Sequence, residues 1–290
     1  MTAAAAAGAA ALAGRPGPLR PYRAIISARV RMLLQYRIAA IAGVWTQVFF
    51  GFVLIMVYEA FYRSSEPVAR PMGFAQVASY VWLGQALLAM LPWNADPEIR
   101  AMVRSGAIAY ELCRPVDLYS LWYARAVAHR TAPTLLRAVP MAVVAAIGLP
   151  LVGLEAWRLA PPASLAAGAG FAAALVAALA LGCALSVLVN ISLMWTIGGD
   201  GIVMVMSTVV AMFSGLLVPL PLLPAWAQPV LRWSPFAGLY DLPFRIYTGD
   251  LPAGALASVL ARQLGWTLAL VALGRWLLGR GIRRLVVQGG

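Results

Sequence analysis

The chain contains no lysine; all 22 of its basic residues are arginine. A nucleotide-hydrolysing loop of the form Gly-x-x-x-x-Gly-Lys-Ser/Thr needs a lysine that reaches the β- and γ-phosphates. No such loop can be written in these residues, and Schiff-base lysine chemistry is excluded with it. Cysteine is nearly as scarce. Cys113 and Cys183 have no ligand or redox spacing, and His129 is the single histidine, which argues against a disulfide framework or a zinc centre. Charged residues make up 11% of the 290, against about 25% in a soluble domain. The ten acids stand at the ends of apolar runs or between them, leaving no carboxylate pair in mid-run to relay protons.

What is present is apolar: 62% of the residues are hydrophobic. A helix needs about 20 such residues to cross a hydrocarbon core of about 30 Å. Six runs qualify, at 38–58, 74–93, 134–154, 165–189, 201–220 and 256–279. Only a helix satisfies its own backbone within lipid, and ten-residue alternating segments of the kind that build a barrel are missing. The expectation is an all-α membrane protein with six transmembrane helices. Residues 1–19, rich in Ala and Gly, are read as a disordered tail, with a removed targeting segment as the alternative. Residues 20–290 are read as one membrane domain.

Placement of arginine gives the orientation. With the N-terminus cytoplasmic, sixteen arginines fall on the inside and five on the outside, and Arg262 lies within the last run. Both ends are therefore expected inside. The formal charge of +12 reads as a topology signal facing anionic lipid, and nucleic acid is not an expected partner.

Two cytoplasmic stretches stand out. In 20–37, Arg20, Arg23, Ser27, Arg31 and Gln35 gather on one arc of a helix, with Ile25, Ile26, Val30 and Leu33 elsewhere and Arg37 closing the stretch. This predicts an amphipathic helix along the inner leaflet, although Arg29 falls on its apolar side. The long loop 94–133 opens with Asn94-Ala95-Asp96-Pro97-Glu98, in which Asp96 can cap, Pro97 suits the first helical position and Glu98 complements the dipole. Gly106 interrupts that helix, and Pro115 ends a second short one at 107–114. Ile99, Met102, Val103, Ile108, Tyr110 and Leu112 among the charges suit a surface that binds another protein.

The segments Glu98-Ile99-Arg100, Arg104-Ser105-Gly106-Ala107-Ile108-Ala109 and Leu112-Cys113-Arg114-Pro115 resemble the cytoplasmic signature of the type-2 ABC exporter (ABC-2) permeases. Trp195-Thr196-Ile197-Gly198-Gly199-Asp200-Gly201 resembles the turn that opens their fifth span. Phe213-Ser214-Gly215-Leu216-Leu217-Val218-Pro219 through Ser234-Pro235-Phe236 resembles the end of that span and the external hairpin. Leu34-Gln35-Tyr36-Arg37 fits the entry to the first span. Together these cover nearly the whole chain after residue 20, and they resemble most closely the subgroup that pairs two six-span permeases with a separate ATPase.

The resemblance implies a permease that forms half of a translocation path in a bacterial cytoplasmic membrane. Glu98, Arg100, Arg104, Gly106, Arg114 and Pro115 would form the coupling helix that seats on the ATPase. ATP and Mg would be bound by that dimeric partner, with no cofactor or catalytic residue in this chain. A second permease, a paralogue or a second copy, would complete the path. Between the last two runs, Pro219, Pro221, Pro224, Pro229, Pro235 and Pro243 with Trp226 and Trp233 fit a short external, partly re-entrant hairpin like the family's outer gate, with Pro219, Trp226 and Trp233 as its markers. A carrier driven by an ion gradient and a membrane assembly protein remain the alternative readings. Two features stay open in the sequence: Arg262 either snorkels or lines a cavity, and the small-residue stripe Ala166, Gly170, Ala174, Ala178, Gly182 and Ser186 packs against a neighbour inside or outside the chain.

Overall fold

The computed structural model describes residues 19–64, 71–196 and 200–283, and every regular element among them is helical. In chain order these are α1 (Arg20–Leu33), α2 (Arg37–Ser64) and α3 (Phe74–Ala86), which runs on into a 3-10 turn, Leu88–Met90. The short helices α4 (Pro97–Ser105) and α5 (Ile108–Leu112) follow. Then come α6 (Leu118–Leu151), α7 (Leu165–Ser192) and α8 (Asp200–Phe213). The short α9 (Gln228–Trp233) and α10 (Asp241–Tyr247) precede the last helix, α11 (Leu256–Ile282). The predicted tail lies outside the described residues, apart from Leu19.

Among the described residues, four helices, α2 from Ala40, α6, α7 and α11, are long and apolar enough to cross a membrane. The second and fifth predicted runs form shorter helices. α3 has 13 residues and α8 has 14, or about 20 Å each. The local causes are visible. The 74–93 run leaves the α-helix at Leu87, turns through Leu88–Met90 and meets Pro92. The 201–220 run stops at Phe213, ahead of a turn in which Gly215 has φ of 88°, a conformation that costs other residues.

The third run shows the opposite departure. Hydropathy predicts its start at 134 with 118–133 in a loop, whereas the helix begins at Leu118 under an Asp117 cap, whose carboxylate accepts from the Ser120 amide. Arg125 and Arg130 lower the hydropathy of that stretch, yet both are buried here in polar partnerships. Beyond the internal prolines Pro133 and Pro140, the helix loosens into a π turn at Val144–Gly148, a common response where proline removes a donor.

α7 carries no charge and sits at the centre: 61% of its apolar stretch is buried, against 22–33% for the other three long helices. It packs on α11, α10 and α6. From Gly170 to Ser186 the small-residue stripe is buried within the chain, while Ala166 at its start is exposed. Gly170 faces Ile246 and Leu256, and Gly182 lies against Met90 and Leu239.

At one end of the bundle, the segment after α8 is held by side-chain bonds. Asp241, 1% exposed, accepts from the Tyr80 hydroxyl at 3.1 Å and the Leu220 amide at 3.1 Å, and its own amide donates to Ser214. Arg245 bridges Asp241 and Asp250, and the Tyr58 hydroxyl donates to the Leu217 carbonyl at 2.8 Å. Pro219 is buried in this knot, while Trp226 and Trp233 are 82% and 71% exposed.

Candidate functional site

At the other end stands a helical hairpin made of α4 and α5. Asp96 caps α4, its Oδ1 accepting from the Glu98 and Ile99 amides at 2.9 and 3.3 Å. Gly106 ends it with φ of 74°, and open space surrounds the position its Cβ would take. Ile99 and Ile108 point inward to join Leu121, Trp122 and Val187 in a buried cluster. The hairpin is therefore one packed unit with an outer tip.

Its base is an ion-pair network centred on Arg125 of α6, whose side chain is 5% exposed. Nη1 donates to Glu111 at 2.8 Å and Nη2 to Glu98 at 2.6 Å. Nε faces Asp96 at 3.4 Å, an ion-pair contact rather than a hydrogen bond. The second oxygen of Glu111 accepts from Trp122 Nε1 at 2.9 Å. One guanidinium thus joins the start of α4, its first turn and α5 to the long helix α6. Buried charges are tolerated when paired and hydrogen-bonded in this way.

Further ties leave the same base. The Asp96 amide donates to Asn190 Oδ1 of α7 at 2.9 Å. Arg130, one helical turn and a residue beyond Arg125, donates to the carbonyls of Leu91 and Asn94 and to the Ser186 hydroxyl. It thereby supplies donors to the irregular stretch between α3 and α4. Asp117 accepts from the Ser120 hydroxyl and amide and pairs with Arg275 of α11 at 3.3 Å. Burial opposes its charge, but those two bonds and Arg275 outweigh it and hold the carboxyl below the usual range.

α1 is drawn into the assembly along α6. Arg29, the residue that spoiled its amphipathic pattern, makes an ion pair with Glu98, and the Asp117 amide donates to Tyr22 at 3.2 Å. Arg20, Arg23 and Arg31 are exposed. The side chain of Arg37, at the start of α2, lies outside the described residues.

The hairpin residues singled out in the sequence therefore separate into two groups. Glu98 is engaged inside the chain by Arg29 and Arg125 and belongs to the base. Arg100 and Arg104 line, with Asn94, Pro97 and His129, a cavity of about 570 Å³ beside α4. Gly106, Arg114 and Pro115 lie at the exposed tip, where Tyr110 is 78% and Leu112 42% exposed. His129, which falls in the predicted 94–133 loop, is half-buried in α6. Arg125, Arg130, Arg29 and Glu111 were missed as site residues. The available signal was the concentration of acids, since three of the ten fall at 96, 98 and 111 in a chain rich in arginine.

A hairpin anchored to α1, α6 and α7 with an exposed apolar and basic tip is a lever looking for a partner. Comparison with protein families identifies the setting, because the family model described as ABC-2 family transporter protein matches residues 48–289. The chain belongs to the ABC-2 transporter family. No curated protein matches it. The match starts inside α2 and takes in the hairpin, its base and the far-end knot, while α1 lies outside it. As an ABC-2 protein with several membrane-length helices, the chain is a multi-pass permease component of an ABC transporter. Among the described residues, no group of three or more His, Cys, Asp or Glu is placed to hold a metal ion.

Proposed function

We propose that this chain is the permease half of an ATP-driven exporter in a bacterial cytoplasmic membrane, and that a separate ATPase dimer docks on the α4–α5 tip. ATP and Mg are bound and used in that partner, and this chain is not itself an enzyme. The observation that carries the reading is the division of the hairpin into a buried, ion-paired base on Arg125 and an exposed tip at Tyr110 and Arg114. Closure of the ATPase would push on the tip, and the Arg125, Asn190 and Arg275 ties would pass that displacement to α6, α7 and α11 together.

Six passes are the reading of the six apolar runs, and the arginine asymmetry puts both ends on the cytoplasmic side. In this reading, α3 and α8 complete their crossings through the irregular residues that follow each helix, most of them buried or half-buried. A second permease completes the path against the apolar faces that this chain leaves outward: Trp45 and Phe49 on α2, and Met204, Val205 and Met212 on α8. Export as the direction rests on the sequence resemblance.

The test is co-purification. Tyr110→Ala combined with Arg114→Glu is expected to weaken ATPase binding at least about tenfold. The melting temperature should stay near that of the wild type, because exposed substitutions change stability by only about 0.5 kcal/mol. A variant that retains its ATPase at wild-type stoichiometry and transports normally would show that the tip is not the docking site.

A further inference from the structure

About 20 Å along α11 from Arg275, and so at the end of the bundle away from the hairpin, lies an open groove of about 500 Å³. Its floor is built from Ala261, Gly265 and Ala269, one turn apart, and its walls are Trp233 and Trp266. Arg262 stands at one edge. Two bonds fix the shape by joining α11 to the end of α9: Arg262 Nη1 to the Arg232 carbonyl and Trp266 Nε1 to the Trp233 carbonyl, each 2.9 Å. The volume is within the range of ligand sites, roughly 300–1,000 Å³. The lining is apolar except at Arg262, beside exposed Arg232.

We propose that this groove binds a glycerophospholipid with an anionic headgroup, its phosphate held by Arg262 and Arg232 and an acyl chain lying over the small-residue floor. Charge selects the occupant. Among the described residues, no carboxylate makes an ion pair with either arginine, and the described acids at this end are already taken. Glu59 pairs with Arg63, Glu155 with Arg158, and Asp241 and Asp250 with Arg245. Among the described residues, a second copy of this chain brings no unpaired acid at this end, whereas a lipid phosphate supplies both the charge and the apolar tail. Arg262 sits six residues into α11, at the depth where a snorkelling guanidinium meets headgroups, and the two tryptophans suit the same level. The open sequence question about this arginine resolves into both roles at once.

The experiment equilibrates the purified transporter with micelles containing equal phosphatidylglycerol and phosphatidylcholine, and counts retained lipids by native mass spectrometry. The wild type is expected to retain phosphatidylglycerol preferentially, and Arg262→Gln and Arg232→Gln each to lower that retention about fivefold. Gly265→Leu, whose Cβ would meet nothing within 4 Å, fills the floor with both arginines intact and should abolish retention in a folded protein. Unchanged retention in all three variants would overturn the proposal. So would a disulfide between two copies of Gly265→Cys in native membranes, which would make the groove a subunit contact.

Discussion

Arg125→Met is expected to lower the stability of the folded chain by about 3–5 kcal/mol, the usual cost of breaking a buried ion pair from one side. The loss comes mainly from what remains. Glu111, whose side chain is 6% exposed, and Asp96, 11% exposed, would keep their charges without the cation that lies against them. Trp122 Nε1 would still hold one Glu111 oxygen, and the Glu98 carboxylate would keep Arg29, so the hairpin would loosen at α5 before α4. Thermal unfolding of the detergent-purified protein measures the loss. The double variant Arg125→Met with Glu111→Gln should recover part of it, because it removes the more buried of the stranded charges. A single variant that melts like the wild type would mean that the network does not hold the hairpin.

Gly215→Ala is the second large effect, and it acts at the opposite end. The residue has φ of 88°, where a β-carbon costs about 1–2 kcal/mol. That carbon would also stand 2.1 Å from the Tyr80 hydroxyl, and the same hydroxyl donates to buried Asp241. Moving Tyr80 aside leaves a buried carboxylate oxygen with one donor fewer, at about 1–3 kcal/mol. The sum, about 3 kcal/mol, should appear as a lower melting temperature together with loss of transport. Adding Tyr80→Phe removes the oxygen in the way, so it should relieve the clash but leave the backbone cost and the weakened Asp241. A fully stable Gly215→Ala would show that the knot yields freely, and that Gly215 is not needed for its shape.

The membrane character and the helix content were legible because apolar runs carry them directly. The cap at Asp96-Pro97-Glu98 and the break at Gly106 were legible for the same reason, since each depends on a few adjacent residues. Lengths were less so. Hydropathy counts Arg125 and Arg130 as solvent-facing charges, and it therefore started α6 sixteen residues late. It also extended α3 through Leu87–Trp93, where apolar residues leave the helix, the Leu87 carbonyl accepting from Tyr240 and that of Leu91 from Arg130.

The candidate site shows the same limit. Local spacing found the tip, but Glu98 looked like a docking residue because its partners lie 27 and 69 positions away. Arg29 appeared as a flaw in α1 for the same reason. An ion pair that joins distant elements leaves a trace only as an odd charge on each, and the two oddities have to be matched in space.

The account turns on the tip of the hairpin meeting the ATPase, and the chain carries its own reporter there. Cys113 is exposed at the tip and Cys183 is buried, so a photo-activatable maleimide should attach at position 113 alone. Irradiation of the labelled transporter complex is expected to yield a covalent adduct of this chain with the ATPase, absent in Cys113→Ser. Its yield should change when ATP is trapped in the partner. Labelling at Cys113 in an intact complex that gives no adduct with the ATPase in any nucleotide state would contradict the coupling role of the α4–α5 hairpin.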